Sequence, residues 1–170
     1  MQFLRFINRR FLINRYVALG AKYSLLITKD EVNNVIFYYE DGTSEIGKIA
    51  ERLFIHYIAP NIFLKAGKSD GKLFFVFDGS MGCFVYRNYG TMVHDDFILK
   101  GAAFGISVNP GIDFKVTPNF ALNIKLGLLL GTVNRMTMDY RGETLYLNDT
   151  KENISRFDLS IGFYWYKKKR

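Results

Sequence analysis

The sequence is poor in the residues that build covalent crosslinks and metal sites. Its 170 residues include one cysteine and two histidines. A single cysteine excludes an internal disulfide and a cysteine-based zinc site, and two histidines offer little to a histidine-rich metal centre. We therefore expect neither a metal nor any other cofactor.

Long apolar runs are also missing. A dense run such as 73–77 is closed by Asp78, far short of the roughly 18 apolar residues of a membrane-spanning helix. A helical membrane protein is thereby excluded. With 49% hydrophobic and 23% charged residues, the chain is not intrinsically disordered. Its length fits a single domain over residues 1–170.

The net charge of +7 does not indicate a nucleic-acid partner. Positive charge is concentrated at the two ends, because no acid precedes Asp30 and residues 167–170 are all basic. Residues 29–51, by contrast, hold six acids against two lysines. A continuous basic groove is not expected from this distribution, and we predict no binding of nucleic acid.

The most frequent pattern in the sequence is an alternation of apolar residues with small or polar ones. Over residues 120–131 one parity is apolar and the other is small or polar. The apolar set is Phe120, Leu122, Ile124, Leu126, Leu128 and Leu130, and the intervening set includes Ala121, Asn123, Lys125, Gly127 and Gly131. A period of two predicts a β-strand with two different faces.

The same alternation recurs over residues 17–27, 98–116 and 157–166, which predicts an all-β fold. The predicted connections alternate in length. Tight turns are expected at 14–15, 67–71 and 117–119, and long loops at 29–51, 90–96 and 140–153. Within those loops, Asp41-Gly42 and Arg141-Gly142 could each turn a hairpin that extends the strands.

Short turns at one end and long loops at the other are typical of an antiparallel up-and-down transmembrane β-barrel. The less apolar face, rich in Gly, Ala, Ser and Asn, suits the crowded lumen of a narrow barrel better than a water-exposed surface. The apolar face is therefore predicted to contact lipid. The side chains predicted to face lipid are Ile106, Leu122, Leu126, Leu128, Leu159, Ile161, Phe163 and Trp165.

Several segments together resemble the closing strands of small outer-membrane β-barrel proteins of Gram-negative bacteria. The segments are Tyr57–Asn61, Phe77–Cys83, Gly105–Asp113, Leu126–Thr132 and Ser155–Phe163. The resemblance covers about residues 15–166. It implies a monomer in the outer membrane, lipid as its partner, and an extracellular ligand, if any, bound by the long loops. The chain departs from the pattern by ending in four basic residues and by lacking a signal peptide.

Seven strands can be counted if residues 3–10 form the first. Bacterial barrels use an even number of strands, because every neighbouring pair is then antiparallel. We therefore expect a barrel of eight strands, with the signal peptide and the first strand encoded upstream of Met1.

Charged side chains on the lumenal parity are the best candidates for specific contacts. They are Lys22, Asp78, Asp113, Lys125, Arg135 and Asp158. Buried charges require partners, so we predict Arg135 beside Asp158, and the two lysines against Asp78 and Asp113. The expected role of these ions is structural, as a packed plug that leaves no open pore.

Other candidates for chemistry are weaker. The run His94-Asp95-Asp96 could hold a hard cation, although three adjacent residues rarely face one ion, and a solvated loop is expected. Ser160 faces the lumen without an evident histidine partner, and Cys83 has outward parity. We therefore predict that the protein is not an enzyme.

Two alternatives remain open. In a soluble barrel of lipocalin type, the leucine-rich face would line a cavity for a hydrophobic ligand. In a membrane-embedded enzyme, Ser160 or His94 would be required for turnover.

Overall fold

The computed structural model describes residues 2–38, 42–68, 70–93, 95–148 and 150–165, with the backbone alone at 2–4, 6, 8, 164 and 165. No helix in this part of the chain is long and apolar enough to cross a bilayer. The ten strands are β1 (Gln2–Leu12), β2 (Val17–Tyr38), β3 (Ser44–Ala66), β4 (Leu73–Met92), β5 (Asp95–Thr117), β6 (Phe120–Val133), β7 (Met136–Tyr140), β8 (Glu143–Leu147), β9 (Glu152–Asn153) and β10 (Arg156–Trp165).

The strands form one antiparallel up-and-down sheet. Its main path runs β1-β2-β3-β4-β5-β6-β10, so that neighbours along the chain are neighbours in the sheet. The strands β6 and β7 both pair with β5 and act as one interrupted strand. In the same way, β8, β9 and β10 together form the next one. The predicted all-β class and the antiparallel meander are confirmed.

The sheet does not close into a barrel. Among the described residues, β1 pairs with β2 and β10 pairs with β6, and these two strands are the ends of the path. Neighbouring strands alternate in direction, so the first and seventh strands of the path run the same way. The main path has seven members, which is the number of strands counted from the sequence. Closure into a barrel, which was expected only with an eighth strand, is not observed among the described residues.

The open sheet is nevertheless strongly curved. The guanidinium of Arg156 on β10 donates a hydrogen bond of 3.3 Å to the Ser24 hydroxyl on β2. On the other side, Arg10 of β1 reaches Asp78 of β4. Side chains from distant strands of the path therefore meet on the concave face, which becomes the interior.

The interior contains an apolar layer as well as polar groups. Tyr57 and Phe84 are fully buried, and their ring centroids lie 4.8 Å apart. Glycines make room for Phe84, since a Cβ added to Gly105 would lie 2.0 Å from the Phe84 ring. Leu129 and Val133 of β6 complete this layer.

The connections agree with the predicted tight turns at one end of the sheet, at residues 13–16, 67–72 and 118–119. At the other end, most residues of the predicted long loops belong to paired strands, as the hairpins expected within two of these loops require. The strands β2 and β3 continue through most of 29–51, and β4 ends at Met92 while β5 begins at Asp95. Polar segments can pair as well as apolar ones, because pairing satisfies their backbone groups. Gly42 and Gly142 have positive φ angles of 81° and 85°, as their predicted turn positions require.

Candidate functional site

The concave face holds a set of buried polar side chains that strand alternation directs inward. On β4, β5 and β6 this inward set includes Asp78, Ser80, Asn88, Ser107, Asn109, Asp113, Asn123 and Lys125, all of them buried. Their chain neighbours point to the convex face and are apolar, such as Phe77 and Ile106. The period of two therefore separates a polar interior from an apolar exterior.

Asp78 lies at the centre of this interior, with 2% of its surface exposed. Its Oδ2 accepts a hydrogen bond of 2.6 Å from Nη2 of Arg10 and one of 3.4 Å from the Asn61 amide. The Nζ atom of Lys125 is 3.5 Å from the same oxygen. A buried carboxylate needs such partners, because burial removes its hydration.

Lys22 joins the same group through a hydroxyl and an amide. Its Nζ donates a hydrogen bond of 2.8 Å to Oγ of Ser107. The amide of Asn109 donates to that hydroxyl and to the carbonyl oxygen of Asp78, both at 3.0 Å. We call Arg10, Lys22, Asp78, Ser107, Asn109 and Lys125 the interior polar cluster. Three of the predicted interior ions, Lys22, Asp78 and Lys125, are brought together in it.

Two further ion pairs lie on the concave face. Lys65 is 3.6 Å from Asp113, which also accepts a hydrogen bond from the Asn123 amide. Nε of Arg156 is 3.2 Å from Asp158. Asp113 is therefore held by Lys65, a residue outside the predicted set of interior ions.

The predicted pairing of Arg135 with Asp158 is wrong. Arg135 is exposed and lies in the connection between β6, which ends at Val133, and β7. The inward parity inferred from β6 ends with that strand. Arg156 instead holds Asp158, since residues two apart on one strand share a face.

Two interior cations, Lys65 and Arg10, were not predicted, and the sequence indicates the orientation of only one of them. Lys65 has the parity of Asn61 and Phe63, which are both buried, so its orientation could have been inferred. Arg10 could not, because β1 is apolar on both parities and gives no clear alternation.

A cavity of about 300 Å³ adjoins the interior polar cluster, between β1 and β10. Asp158 and Ser160 line it on the β10 side, and Ile7 lines it on the β1 side. Ser160 thus faces the interior, as its parity predicted. The side chains Ile7 and Ile161 belong both to this lining and to the exposed apolar residues, which places the cavity at the open seam of the sheet.

The convex face presents most of the side chains predicted to contact lipid. Exposed fractions are 42% for Ile106, 65% for Leu126, 69% for Leu159, 65% for Ile161 and 67% for Phe163. Leu122 and Leu128 are half-buried, because they lie in register between large neighbours on both adjoining strands. The side chain of Trp165 lies outside the described residues. Cys83 is exposed on the same face.

Extended hairpins at the opposite end from the tight turns carry charged pairs. Asp139 accepts hydrogen bonds from Lys100 and Thr144, which hold the pKa of this carboxyl below its ordinary value of 3.8. Asp95 accepts a hydrogen bond of 3.0 Å from the Tyr140 hydroxyl, and this bond raises the pKa of Tyr140. Arg141 also donates to Asp95.

The predicted solvated segment 94–96 can be followed in part. His94 lies outside the described residues, whereas Asp95 is held by Arg141, and Asp96 accepts a hydrogen bond of 2.7 Å from Thr91. Within the described ranges, no three His, Cys, Asp or Glu side chains are grouped so that they could hold a metal ion.

Comparisons of the chain with models of protein families and with curated protein sequences find no match.

Proposed function

We propose that this chain is an integral β-barrel protein of the outer membrane of Gram-negative bacteria, with a structural or surface-binding role carried by its extended hairpins. Its partners are then outer-membrane lipid and, at the hairpins, an unidentified extracellular ligand. The protein acts as a monomer and carries out no catalysis. Its packed interior keeps it closed to bulk flow.

The observation that supports this proposal most strongly is that large apolar side chains are exposed while charged side chains are buried, the reverse of the arrangement in a soluble protein. Leu126 and Leu159, in register on β6 and β10, are 65% and 69% exposed, whereas Asp78 and Lys125 are 2% and 7% exposed. A soluble protein rarely leaves a large contiguous apolar face uncovered, and such a face indicates contact with a membrane or a partner.

The total surface supports the same interpretation. The chain exposes 11933 Å², whereas a compact soluble monomer of its mass exposes about 8,600 Å². Such an excess is expected for a curved single sheet whose convex face is covered by no other element of the described residues. Hydrocarbon would cover that face and remove the cost of its hydration.

The length of the strands also suits a sheet that crosses a bilayer. A membrane-crossing β-strand needs about 9 to 11 residues, and the exposed apolar alternation on β6 and β10 extends over this length. Beyond it, β2 and β3 continue as a hairpin whose side chains are exposed or half-buried and which carries the ion pair Lys48–Glu31 at 2.7 Å. We place this hairpin and that of β7 and β8 outside the membrane.

Fractionation and gel mobility test the proposal. The refolded protein should require detergent or lipid to stay in solution, and the folded form should migrate differently from the boiled form on a denaturing gel. A folded monomer that is soluble in plain buffer and binds a hydrophobic dye in its interior would overturn the proposal in favour of a lipocalin-like carrier.

A further inference from the structure

Two arginines lie close together on the convex face, on the neighbouring strands β3 and β4. Arg52 is in register with Tyr89, and Phe54 is in register with Arg87. Residues two apart on one strand share a face, so these four side chains occupy the same part of the convex face. Phe54 is half-buried and the other three are exposed. We call these four residues the arginine patch.

The aromatic rings of the patch give it a defined arrangement. The rings of Phe54 and Tyr89 meet edge to face, with their centroids 5.7 Å apart. The guanidinium carbon of Arg52 lies 4.8 Å from the centroid of the Phe54 ring, within reach of a cation–π contact. An arginine that is already ordered against a ring loses less conformational freedom when it binds a ligand.

The positive charge of the patch is not neutralised by a carboxylate of the described residues. Neither Arg52 nor Arg87 forms an ion pair with any of them. The acids of the adjoining part of the sheet have other partners, in the contacts Glu31–Lys48, Asp139–Lys100 and Asp96–Thr91. An anion could therefore bind beside the two arginines without displacing a carboxylate.

The patch lies at the border between two different parts of the convex face. Toward the tight turns, the exposed side chains on the same face are apolar and include Ile58, Cys83 and Val85. Toward the extended hairpins, β2 and β3 carry the ion pair Lys48–Glu31. If hydrocarbon covers the apolar part, the two arginines lie at the depth of the lipid headgroups.

We propose that the arginine patch binds the phosphate headgroup of an anionic membrane lipid, whose acyl chains lie along the exposed apolar side chains beside it. This inference rests on the proposed membrane location. A guanidinium donates two parallel hydrogen bonds to one phosphate, and Arg52 and Arg87 on adjoining strands can share the same group. A terminal phosphate suits two arginines better than a zwitterionic headgroup does, because the latter carries a cation of its own.

Quenching of a fluorophore on Cys83 tests this site, because Cys83 shares a face of β4 with Arg87. The labelled full-length protein is refolded into phosphatidylcholine vesicles. Phosphatidic acid and phosphatidylcholine, each with a nitroxide on an acyl chain, are the two quenchers. We expect phosphatidic acid to associate about tenfold more tightly than phosphatidylcholine, because basic side chains at a membrane surface attract anionic lipid.

Variants locate the site within the chain. Arg52→Gln and Arg87→Gln should each lower the preference about threefold or more, and Arg87→Lys should keep part of it, since lysine retains the charge but not the paired donors. Lys72→Gln removes one positive charge from an exposed turn at the other end of the sheet, and is the control that should keep the full preference. Equal losses in Lys72→Gln and Arg87→Gln would mean that the lipid responds to net charge alone, which overturns the proposal.

The remaining outcomes separate this inference from the proposed function. Equal quenching by the two lipids would overturn the inference and leave the membrane location intact. Loss of the preference on addition of millimolar inorganic phosphate or hexaglutamate would assign the patch to a soluble anion or an acidic protein segment, and would also overturn it. A label quenched by neither lipid would contradict the membrane location and this inference with it.

Discussion

At the scale of single residues, the interior depends on charges that satisfy one another away from water. Asp78 receives contacts from Arg10, Asn61 and Lys125 on three different strands. One carboxylate thus connects β1, β3 and β6 to β4. Removal of its charge would break two ion pairs inside the sheet at once, which costs more than the loss of a surface ion pair.

Replacing Asp78 by Asn should therefore lower the free energy of unfolding by about 3 to 5 kcal/mol. The measurement is urea unfolding of the protein in micelles or vesicles. Asp70→Asn, in an exposed turn, is the matched control and should change stability by less than about 0.5 kcal/mol. Equal stability of the two variants would show that the Asp78 contacts do not hold the interior together.

The sequence predicted the orientation of single side chains only where apolar and polar residues alternate clearly along a strand. The inward orientation of Lys22, Asp78 and Lys125 followed from the strand period. The partner of Asp158 did not, because Arg135 lies past the end of β6, where parity no longer has meaning. Hydrogen bonds such as that of Asn109 to the Asp78 carbonyl depend on register between strands, which one strand's sequence does not specify.

At the scale of elements, the strands are held together by tight packing across the concave face. Phe84 of β4 is fully buried, and the glycines of neighbouring strands lie beneath its ring. The small residues of the inward parity therefore have a packing role. They allow a large aromatic ring inside a strongly curved sheet.

Gly105→Ala should lower stability by about 1 to 3 kcal/mol, because the added methyl group would overlap the Phe84 ring. Gly162→Ala on β10 is the control, since a Cβ there would meet nothing within 4 Å. Both variants are compared by urea unfolding under the same conditions. A Gly105→Ala protein as stable as Gly162→Ala would mean that the ring of Phe84 is not confined as described.

The hairpin of β7 and β8 should become less stable at low pH. The contacts with Lys100 and Thr144 lower the pKa of Asp139 in the folded state. Their stabilisation is thus fully present above the ordinary value of 3.8 and is lost as the pH falls through the lower, folded-state pKa.

Carbon-detected NMR titration of the Asp139 carboxyl measures this directly. Lys100→Met should move the titration midpoint upward toward 3.8, whereas Lys72→Met should leave it in place. An unchanged midpoint in Lys100→Met would show that the Lys100 contact does not persist in solution.

The sequence predicted the existence of the long strands better than their ends. Apolar alternation revealed the parts of β4, β5 and β6 that curve around the interior. It did not show how far β2 and β3 extend, to Tyr38 and from Ser44, because apolar and polar residues do not alternate regularly there and the extensions are held by backbone pairing. The open seam between β1 and β10 agrees with the odd number of strands counted from the sequence, because the first and seventh strands of an antiparallel path run the same way.

At the scale of the whole molecule, the proposed membrane location requires that hydrocarbon, and not water, covers the convex face. An arginine scan separates hydrocarbon from water. Leu126→Arg, near the middle of the apolar band, should cost about 2 to 4 kcal/mol in a bilayer. Leu145→Arg, at an exposed site on the hairpin of β7 and β8, should cost about 0 to 1 kcal/mol.

The free energies of unfolding of these two variants are compared after refolding into the same vesicles. If water covers both positions, the two substitutions should have similar effects, within about 0.5 kcal/mol of the original chain. That outcome would place the convex face in water.

Cys83 offers the most direct test of the central claim, because it is the only cysteine of the chain and is exposed on the convex face. It lies in register with Ile58 and Phe104, which are both exposed. A nitroxide attached to Cys83 in protein refolded into vesicles reports its surroundings through collision with oxygen, which concentrates in hydrocarbon, and with a water-soluble nickel chelate. We predict frequent collision with oxygen and little with nickel, whereas a label on Cys83 that collides readily with nickel would contradict the account.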